Sequence, residues 1–401
     1  MVKLSKMNKI KGKNIILISL APWYIEIGSN SKDIAVELAK NNRVLYVNRA
    51  MDRLHYLKQL VHNKGINSDL KAKSNYKVKQ IDQNLWTLTP GNVVESIQRI
   101  KSVWLYDRIN MINNKRLSRD ILKATNELKF NEFILFNDND FQRGFYLKEL
   151  LKPEKYIYYI RDYLIEQPYF NIHGKRLEAK LIEKSDLTVA NSQHLANYAA
   201  QYQKRSYNIG QGCDLTLFRN AKSIKDLDSK KNTQPVIGYL GALNSNRLDI
   251  ELIGYIARTH PAWKIVLVGP EDGTFANSSL HALNNIYFTG SVPPEEAPQY
   301  IASFDVCINP QVLNSLTLGN YPRKVDEYLS LGKPVVSLKT DTMELFKDHV
   351  YLANSNDEFV SMIEDALKEN NPDSARLRTA FAYSHTWEES VRKLEKALIG
   401  N

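Results

Sequence analysis

Residues 320–337 constrain the fold more than any other stretch of the chain, because they predict a capped helix followed directly by a buried strand. Pro322 suits the first turn of a helix, where its missing N–H leaves no hydrogen bond unmade. Gly332 suits the left-handed position just after the last turn, and Pro334 cannot continue a helix. The apolar run 334–338 predicts a short strand. A helix that leads into a buried strand in this way is typical of a parallel α/β sheet.

Two charged residues near the start of this helix indicate a nucleotide site. Lys324 and Glu327 lie three residues apart. The free N–H groups and partial positive charge of a helix N-terminus favour phosphate. A carboxylate beside them can accept hydrogen bonds from the two hydroxyls of a ribose. The alternative is an ordinary capped helix whose charged side chains are only solvated.

The same residues resemble the signature of nucleotide-sugar glycosyltransferases of the GT-B fold, the retaining group known as family four or group 1. The resemblance rests on Pro322, Lys324, Glu327 and the run from Gly332 to Val336. It implies an α/β protein of two doubly wound, Rossmann-like domains that face each other across a cleft. It also implies retaining transfer of a sugar from a nucleotide-diphospho-sugar, with Glu327 on the ribose.

Length and cysteine content are those of a soluble two-domain protein. A chain of 401 residues exceeds the roughly 250–300 residues at which a single core stops growing. Cys213 and Cys307 are far apart and lack metal-ligand spacing, so we expect a reducing, cytoplasmic location. The sequence contains no apolar run near the roughly 20 residues that span a bilayer, and residues 15–20 are too short for the core of a signal peptide.

Positive charge is concentrated in the first half of the chain. Residues 1–215 contain 35 Lys and Arg against 21 Asp and Glu, whereas the remainder contains 19 against 23. This asymmetry favours an anionic partner for the first half, such as a phosphorylated acceptor or an anionic membrane surface. We expect no nucleic acid, because the sequence lacks helix-turn-helix, zinc-ligand and aromatic–basic RNA patterns. The alternative is a solubilising charge without a partner.

Residues 1–222 are predicted to form the acceptor-side domain. Strands are predicted at 14–20, 43–48, 133–136, 156–160 and 187–190, and residues 52–80 are interpreted as a loop. Residues 93–106 have helical spacing, and their apolar and basic side chains suit either the core or a membrane interface. The acids and amides at 137–140 are a weak metal pattern without a histidine, so we expect no metal ion.

Acceptor-binding candidates follow two of these strands. Trp23 and Glu26 lie in the loop after the first strand, at the edge where open α/β sheets bind ligands. Arg161 and Asp162 follow the strand at 156–160, where the family places acceptor-binding and, in some members, catalytic groups. His173 is a further acceptor-binding candidate, and the alternative for it is a solvated loop residue.

Residues 235–384 are predicted to form the donor-binding domain after a charged linker at 222–234, and the helix at 385–401 is expected to return to the first domain. Strands are predicted at 235–240, 263–269, 285–290, 305–309 and 334–338. The donor-binding candidates lie in the loops after these strands or at the helix start: Gly241, Asn244, Gly269, Gly290, Val292, Asn314, Thr317 and Pro322. Gly319 stands where relatives often have a second glutamate.

The catalytic candidates are Arg247, Lys324, Glu327 and Asp162. Arg247 and Lys324 would stabilise the departing nucleoside diphosphate, so that no metal or other cofactor is expected. By analogy the acceptor is a lipid-linked saccharide in cell-surface polysaccharide synthesis, and the protein could lie on the inner face of the cytoplasmic membrane. Two alternatives remain: a nucleotide-sugar epimerase of the same fold, and a non-catalytic basic protein that binds membrane or RNA.

Overall fold

The computed structural model describes residues 10–25, 29–54, 76–167, 169–219, 234–314, 317, 319, 321–369 and 371–399. The chain divides into two compact units, the first formed by residues 1–210 with 387–401 and the second by residues 211–386. The chain therefore passes between the units twice, after Gly210 and after Thr386. Each unit is built on a largely parallel sheet with helices, which confirms the predicted two-domain α/β fold class. The predicted linker at 222–234 lies almost entirely outside the described residues.

The first unit contains an eight-stranded sheet in the order β3-β4-β2-β1-β5-β6-β7-β8. Its strands are β1 Asn14–Ser19, β2 Arg43–Val47, β3 Lys77–Asp82, β4 Leu85–Thr89, β5 Phe133–Asp138, β6 Lys155–Ile160, β7 Leu187–Ala190 and β8 Ser206–Asn208. Its helices are α1 Asn30–Ala39, α2 Val103–Leu128, α3 Leu147–Leu151, α4 Gly174–Lys184, α5 Gln193–Ala200 and the C-terminal helix Trp387–Ile399. Short 3-10 turns occur in the two units at Leu164–Glu166, Thr216–Phe218, Ser279–Ala282 and Met343–Phe346.

Both faces of this sheet are buried, as the uninterrupted apolar run of β1 requires. Ile16 and Ile18 pack into one hydrophobic cluster, whereas Ile15 and Leu17 pack into another on the opposite face. This alternation follows from the period of two along a strand. Helix α2 contributes to the first cluster, and α1 and the C-terminal helix contribute to the second.

Two predictions for the first unit are wrong. The helix predicted over 93–106 begins only at Val103, after the N-cap Ser102, because Val94 forms a β-bridge with Asp52 and a turn follows at 98–99. Residues 52–80 are not all loop, since Lys77–Asp82 is a strand that pairs antiparallel with β4. That strand lies at the edge of the sheet and is mostly exposed, so that its sequence carries little apolar signal.

The second unit contains a six-stranded sheet in the order β11-β10-β9-β12-β13-β14, in which all neighbouring strands are parallel. Its strands are β9 Val236–Leu240, β10 Lys264–Val268, β11 Ile286–Gly290, β12 Val306–Asn309, β13 Val335–Leu338 and β14 Tyr351–Ala353. Its helices are α6 Ile250–Thr259, α7 Gly273–Ala276, α8 Ala297–Ser303, α9 Arg323–Ser330, α10 Asn356–Lys368 and α11 Pro372–Tyr383. No helix that the structure describes combines the length and apolar character of a membrane span.

The strand order of each sheet reverses at its first strand. β1 lies between β2 and β5, and β9 lies between β10 and β12. Open α/β sheets bind ligands beyond the carboxyl ends of the strands at such a reversal. A ligand-binding site is therefore expected in the loops that follow these strands in each unit.

Candidate functional site

Helix α9 is attached to the carboxyl end of β9 by Tyr328. The Tyr328 hydroxyl accepts a hydrogen bond from the Leu240 amide at 2.9 Å and donates to the Leu240 carbonyl at 3.3 Å. Val325 and Leu329 are fully buried on the same side of the helix. Gly332 has φ 70°, the left-handed conformation that the sequence predicts for it. The helix that carries Lys324 and Glu327 is thus fixed at the strand reversal.

Glu327 is largely buried in the first turns of this helix. Its side chain is 17% exposed, and its carboxylate lies 3.4 Å from Nε of Arg323. Burial raises the pKa of Glu327 above its ordinary value, while the charges of Arg323 and Lys324 act in the opposite direction. The carboxylate is therefore an acceptor in a poorly solvated place, where a hydrogen bond from a ribose hydroxyl would be strong.

Lys324 lies beside the glycine loop that follows β9. Its ammonium donates to the hydroxyl of Tyr239 and stands 4.2 Å from the centre of that ring. A Cβ atom on Gly241 would lie 3.2 Å from Nζ of Lys324. The structure therefore brings together Lys324 and Gly241, two donor-site candidates separated by more than eighty residues in the sequence.

The three candidate glycines at the strand ends permit close packing of three loops. Gly241 and Gly269 have φ 145° and 141°, conformations that L side chains rarely adopt. A Cβ atom on Gly269 would lie only 2.1 Å from the carbonyl oxygen of Gly241. The Gly269 amide donates in turn to the Gly290 carbonyl at 2.9 Å. Because these positions carry no side chain, the backbone at the end of β9 is not covered by a Cβ atom, and a diphosphate could approach it.

Arg247 projects from a loop that is tied to the segment after β12. The Arg247 amide donates to the Asn244 carbonyl, and its own carbonyl accepts from the Val312 amide, both at 2.9 Å. Asn314 donates from Nδ2 to the Asn246 carbonyl at 2.9 Å. The Arg247 side chain is exposed. Its guanidinium can therefore move to meet an anionic group.

The predicted sugar-binding residues are engaged with their own loop. Thr317 is 2% exposed, and its Oγ1 donates to the Val312 carbonyl. Asn314 and Thr317 exchange two further bonds of 3.1 Å between side chain and backbone. Of the other donor candidates, Pro322 is buried and Val292 packs partly buried against the core beneath α9. That these four residues bind the donor stays a prediction.

In the first unit, Arg161 and Asp162 belong to a network at the carboxyl ends of β1, β5 and β6. Arg161 pairs with Asp138 and with Asp162, each at 2.9 Å. Asp138 is fully buried and also accepts a 2.7 Å bond from the Ser19 hydroxyl. Burial raises the pKa of Asp138, and the Arg161 charge opposes that rise. The half-buried Asp162 is the carboxylate of this network that a substrate could reach.

The other acceptor candidates have different surroundings. Trp23 is partly buried and packs edge-on against Tyr46, with ring centres 5.1 Å apart. Glu26 lies outside the described residues. His173 is buried, its ring centre lies 4.0 Å from that of Tyr106, and its Nε2 lies 2.7 Å from the Ile100 carbonyl. Within the part of the chain that the structure describes, no three His, Cys, Asp or Glu side chains form a group that could hold a metal ion.

Sequence reasoning missed two buried carboxylates. Asp326, next to Glu327, is completely buried, and its oxygens lie 2.7 Å from Nδ1 of His385 and 2.8 Å from the Tyr321 hydroxyl. A carboxylate at a core-facing helix position indicates that it has a buried hydrogen-bond partner. The sequence does not show that this partner is His385, which lies 59 residues away.

The second missed carboxylate, Glu178, is on α4 in the first unit. It is fully buried and accepts bonds of 2.7 Å and 3.1 Å from the hydroxyls of Tyr158 and Tyr198. Burial raises the pKa of Glu178 to about 7, and the two tyrosine hydrogen bonds limit the rise.

The two α/β units, each built on a largely parallel sheet, have the GT-B fold. Solved structures support this fold. HepE of Anabaena in complex with UDP aligns with a TM-score of 0.66 and 17% identity over 97% of this chain and 100% of that one. Sucrose-phosphate synthase of Thermosynechococcus elongatus aligns with a TM-score of 0.64 and 14% identity over 95% and 97% of the two chains.

The sequence comparisons identify the second unit more closely. Residues 234–369 match the family model described as glycosyl transferases group 1. The Bacillus subtilis (strain 168) protein TuaH, whose name describes a teichuronic acid biosynthesis glycosyltransferase, is 25% identical over 234 residues. That alignment covers 55% of this chain and 59% of TuaH, so the chain spans about three fifths of that relative's length.

Proposed function

We propose that the protein transfers a sugar from a nucleotide-diphospho-sugar to a saccharide acceptor, with retention of anomeric configuration. The observation that carries the proposal is the position of Lys324 beside Gly241, on the same helix as Glu327. An ammonium at a backbone loop suits a diphosphate, and a poorly solvated carboxylate suits the adjoining ribose. Retention is inferred from the match of residues 234–369 to the group 1 family model and from the resemblance to the retaining family.

In this proposal the residues of the second unit stabilise the leaving group. As the bond between the sugar and the diphosphate breaks, negative charge develops on the phosphate oxygen. Lys324 and the N–H groups at the start of α9 would stabilise that charge from fixed positions, and the exposed Arg247 would add a second cation. We therefore propose that no metal ion is required, and that treatment with EDTA leaves the transfer rate unchanged. A rate that disappears with EDTA and returns with a divalent cation would contradict this.

The donor and acceptor can be proposed as chemical classes. HepE was solved with UDP, which makes a uridine nucleotide the first candidate among UDP-, GDP- and ADP-sugars. TuaH is named for teichuronic acid biosynthesis, and we propose by analogy a saccharide acceptor carried on a lipid. The basic first half of the chain suits the phosphate of such a lipid carrier.

The test begins with thermal-shift screening of UDP-, GDP- and ADP-sugars against the whole chain. The donor that raises the melting temperature is then incubated with and without saccharide acceptors, and release of nucleoside diphosphate is measured. We expect release that depends on the acceptor. Conversion of the sugar without release would indicate an epimerase, and binding of polyanions without any turnover would indicate a non-catalytic protein. Either result would overturn the proposed transfer.

We further propose that the outer face of α2 holds the protein on the inner surface of the cytoplasmic membrane. Trp104, Leu105, Ile112 and Leu122 are apolar side chains on this helix that are between 39% and 64% exposed. The exposed basic residues Arg108, Lys115, Arg119 and Lys123 lie on the same face, because all eight positions fall within about 100° around the helix axis. We call these eight residues the α2 outer face.

The composition of the α2 outer face suits an anionic lipid surface. The Arg108 guanidinium lies 4.8 Å from the centre of the Trp104 ring, so one apolar and one cationic group are presented together. Asp107, beside this face, is paired with Arg176 at 2.7 Å, which reduces its repulsion of anionic headgroups. Each basic side chain near such a surface contributes about 1 kcal/mol, and a partly inserted tryptophan adds to this.

Sedimentation with vesicles tests the membrane proposal. The chain should bind vesicles of phosphatidylglycerol and phosphatidylcholine, bind much less to phosphatidylcholine alone, and dissociate at high salt. Trp104→Ala should weaken binding. The matched control is Tyr287→Ala, because Tyr287 in the second unit is also an exposed aromatic residue with a lysine, Lys264, over its ring. Equal binding by wild type and Trp104→Ala would refute the role of this face.

A further inference from the structure

We propose that Asp326, His385 and Tyr321 form a positioning network that sets the affinity for the donor by holding the first turn of α9. This inference rests on the proposed function, because the network acts through Glu327 and Lys324. None of the three residues would touch the substrate. Their role is to keep the helix start at one position relative to the glycine loop after β9.

The three side chains of the network contact one another, and the Asp326 carboxylate among them is buried. The Asp326 carboxylate is completely buried, and each of its oxygens has a partner, Nδ1 of His385 at 2.7 Å and the Tyr321 hydroxyl at 2.8 Å. The Tyr321 hydroxyl also lies 3.1 Å from Nδ1 of His385. A buried carboxylate is costly unless its hydrogen bonds are complete, so removing one partner has a larger effect than an exposed bond would. Aromatic rings enclose the group, with Phe346 and Phe381 both next to His385.

The network also connects α9 to both places where the chain passes between its units. His385 lies two residues before Trp387, where the chain enters the first unit again. Its carbonyl accepts a 2.9 Å bond from the amide of Cys213, which lies three residues after Gly210, the other passage. Both passages are therefore linked to Asp326 through one residue. A shift of His385 has to be accommodated by the first turn of α9.

Asp326 and Glu327 are neighbours whose side chains point in different directions around the helix. Successive residues of an α-helix are about 100° apart, so that Asp326 can face the interior while Glu327 reaches the site. The Glu327 carboxylate is otherwise positioned by Arg323 in the same turn, at 3.4 Å. If the inward contact of Asp326 is lost, the turn can move or fray, and Glu327 and Lys324 move with it.

Two substitutions of His385 distinguish the effect of its hydrogen bond to Asp326 from the effect of its ring packing. His385→Ala removes both, whereas the amide nitrogen of His385→Asn can donate to Asp326 from nearly the position of Nδ1. Binding of UDP, GDP and ADP is measured by calorimetry, and the transfer reaction is resolved into kcat and KM. We expect His385→Ala to bind the preferred diphosphate about tenfold more weakly, as for one charged hydrogen bond. We expect His385→Asn to remain within about twofold of wild type, and the change to appear in donor KM.

The matched control is His349→Ala. The His349 ring packs on Phe381 with ring centres 4.2 Å apart, close to the 4.5 Å of His385 on the same Phe381 ring, so both substitutions remove an imidazole from one aromatic cluster. We expect His349→Ala to bind the nucleotide as wild type does. If His385→Ala does not fold, Tyr321→Phe removes only the Tyr321 hydroxyl from the network and should weaken binding in the same direction.

The outcomes distinguish this inference from the proposed function. If wild type binds a nucleoside diphosphate and Glu327→Ala loses it, while His385→Ala and Tyr321→Phe bind like wild type, the network has no positioning role. Equal losses in His385→Ala, His385→Asn and His349→Ala would also overturn it, because they would reflect general destabilisation. If wild type binds none of the three diphosphates, the proposed function fails, and this inference fails with it.

Discussion

Replacing Glu327 by alanine should remove most of the ribose contact and little of the fold. The carboxylate is the proposed acceptor for the ribose hydroxyls, and a hydrogen bond to a charged group contributes about 1.5–3 kcal/mol. The dissociation constant for a nucleoside diphosphate should therefore rise about 10- to 150-fold. Because Glu327 is only 17% exposed, a ribose bound there would be shielded from water, which favours the upper part of this range.

The melting temperature of the free protein should change little on the same substitution. The Arg323 side chain is 41% exposed and lies 3.4 Å from Glu327, and such a partly exposed pair contributes at most about 1 kcal/mol. Burial also raises the pKa of Glu327, which means that the ionised carboxylate is itself costly in the fold. The loss of the pair and the removal of a buried charge act in opposite directions.

The raised pKa adds a pH dependence to this prediction. Protonation removes the charged acceptor, so donor affinity should fall as the pH decreases through the pKa of Glu327. That fall should occur above pH 4.5, the ordinary value for a glutamate, because burial raises the pKa of Glu327 in the fold. The Glu327→Ala variant should lack this step.

Calorimetric titration with UDP, GDP and ADP measures both effects. The matched control is Glu251→Ala, which removes an exposed carboxylate from the first turn of another helix, α6, in the same unit. Its affinity should equal that of wild type. A Glu327→Ala variant that binds the preferred diphosphate within twofold of wild type would exclude Glu327 from the site and refute the reasoning.

Three further substitutions, the first with a matched control, test the geometry. Gly269→Ala should lower the free energy of unfolding by at least about 2 kcal/mol, because its Cβ would collide with the neighbouring loop, while Gly273→Ala, whose Cβ meets nothing within 4 Å, should not. Lys324→Met should lower kcat for transfer about a hundredfold, as when one group that stabilises a leaving charge is removed. The folded protein holds the Glu178 proton more tightly than the unfolded chain, so stability should fall as the pH rises from about 4.5 to about 7, by up to about 3 kcal/mol. Glu178→Gln should remove this loss and raise the melting temperature at pH 8 but not at pH 4.

Each of these expectations has a measurement that can contradict it. Free energies of unfolding from chemical denaturation should differ between Gly269→Ala and Gly273→Ala. Equal values would mean that the loops containing Gly269 and Gly241 can move apart without a loss of stability. Steady-state transfer by Lys324→Met with an unchanged kcat would remove the ammonium from the leaving-group site. Melting curves of Glu178→Gln that run parallel to wild type between pH 4 and pH 8 would mean that Glu178 is not protonated in the folded state.

The elements of the second unit were largely predictable from local pattern. The predicted strand at 334–338 is observed as Val335–Leu338, and the helix before it ends as the placement of Gly332 requires. Such features depend on backbone conformation and apolar spacing, which neighbouring residues determine. The edge strand Lys77–Asp82 was missed because exposed strands carry no apolar alternation, and the helix at 93–106 was misplaced because a bridge to Asp52 outweighs its helical spacing.

Local spacing predicts the helices and strands of the second unit, and it places Lys324 and Glu327 at the start of one helix. The resemblance to a glycosyltransferase family rests on the same short stretch. The contacts of Lys324 with Gly241 and of Asp326 with His385 appear only in the folded protein, because they join residues on separate elements. Packing of the sheet determines which of these side chains come within reach of each other. The bond from Thr317 to Val312 lies within one loop, and it depends on the folded path of that loop.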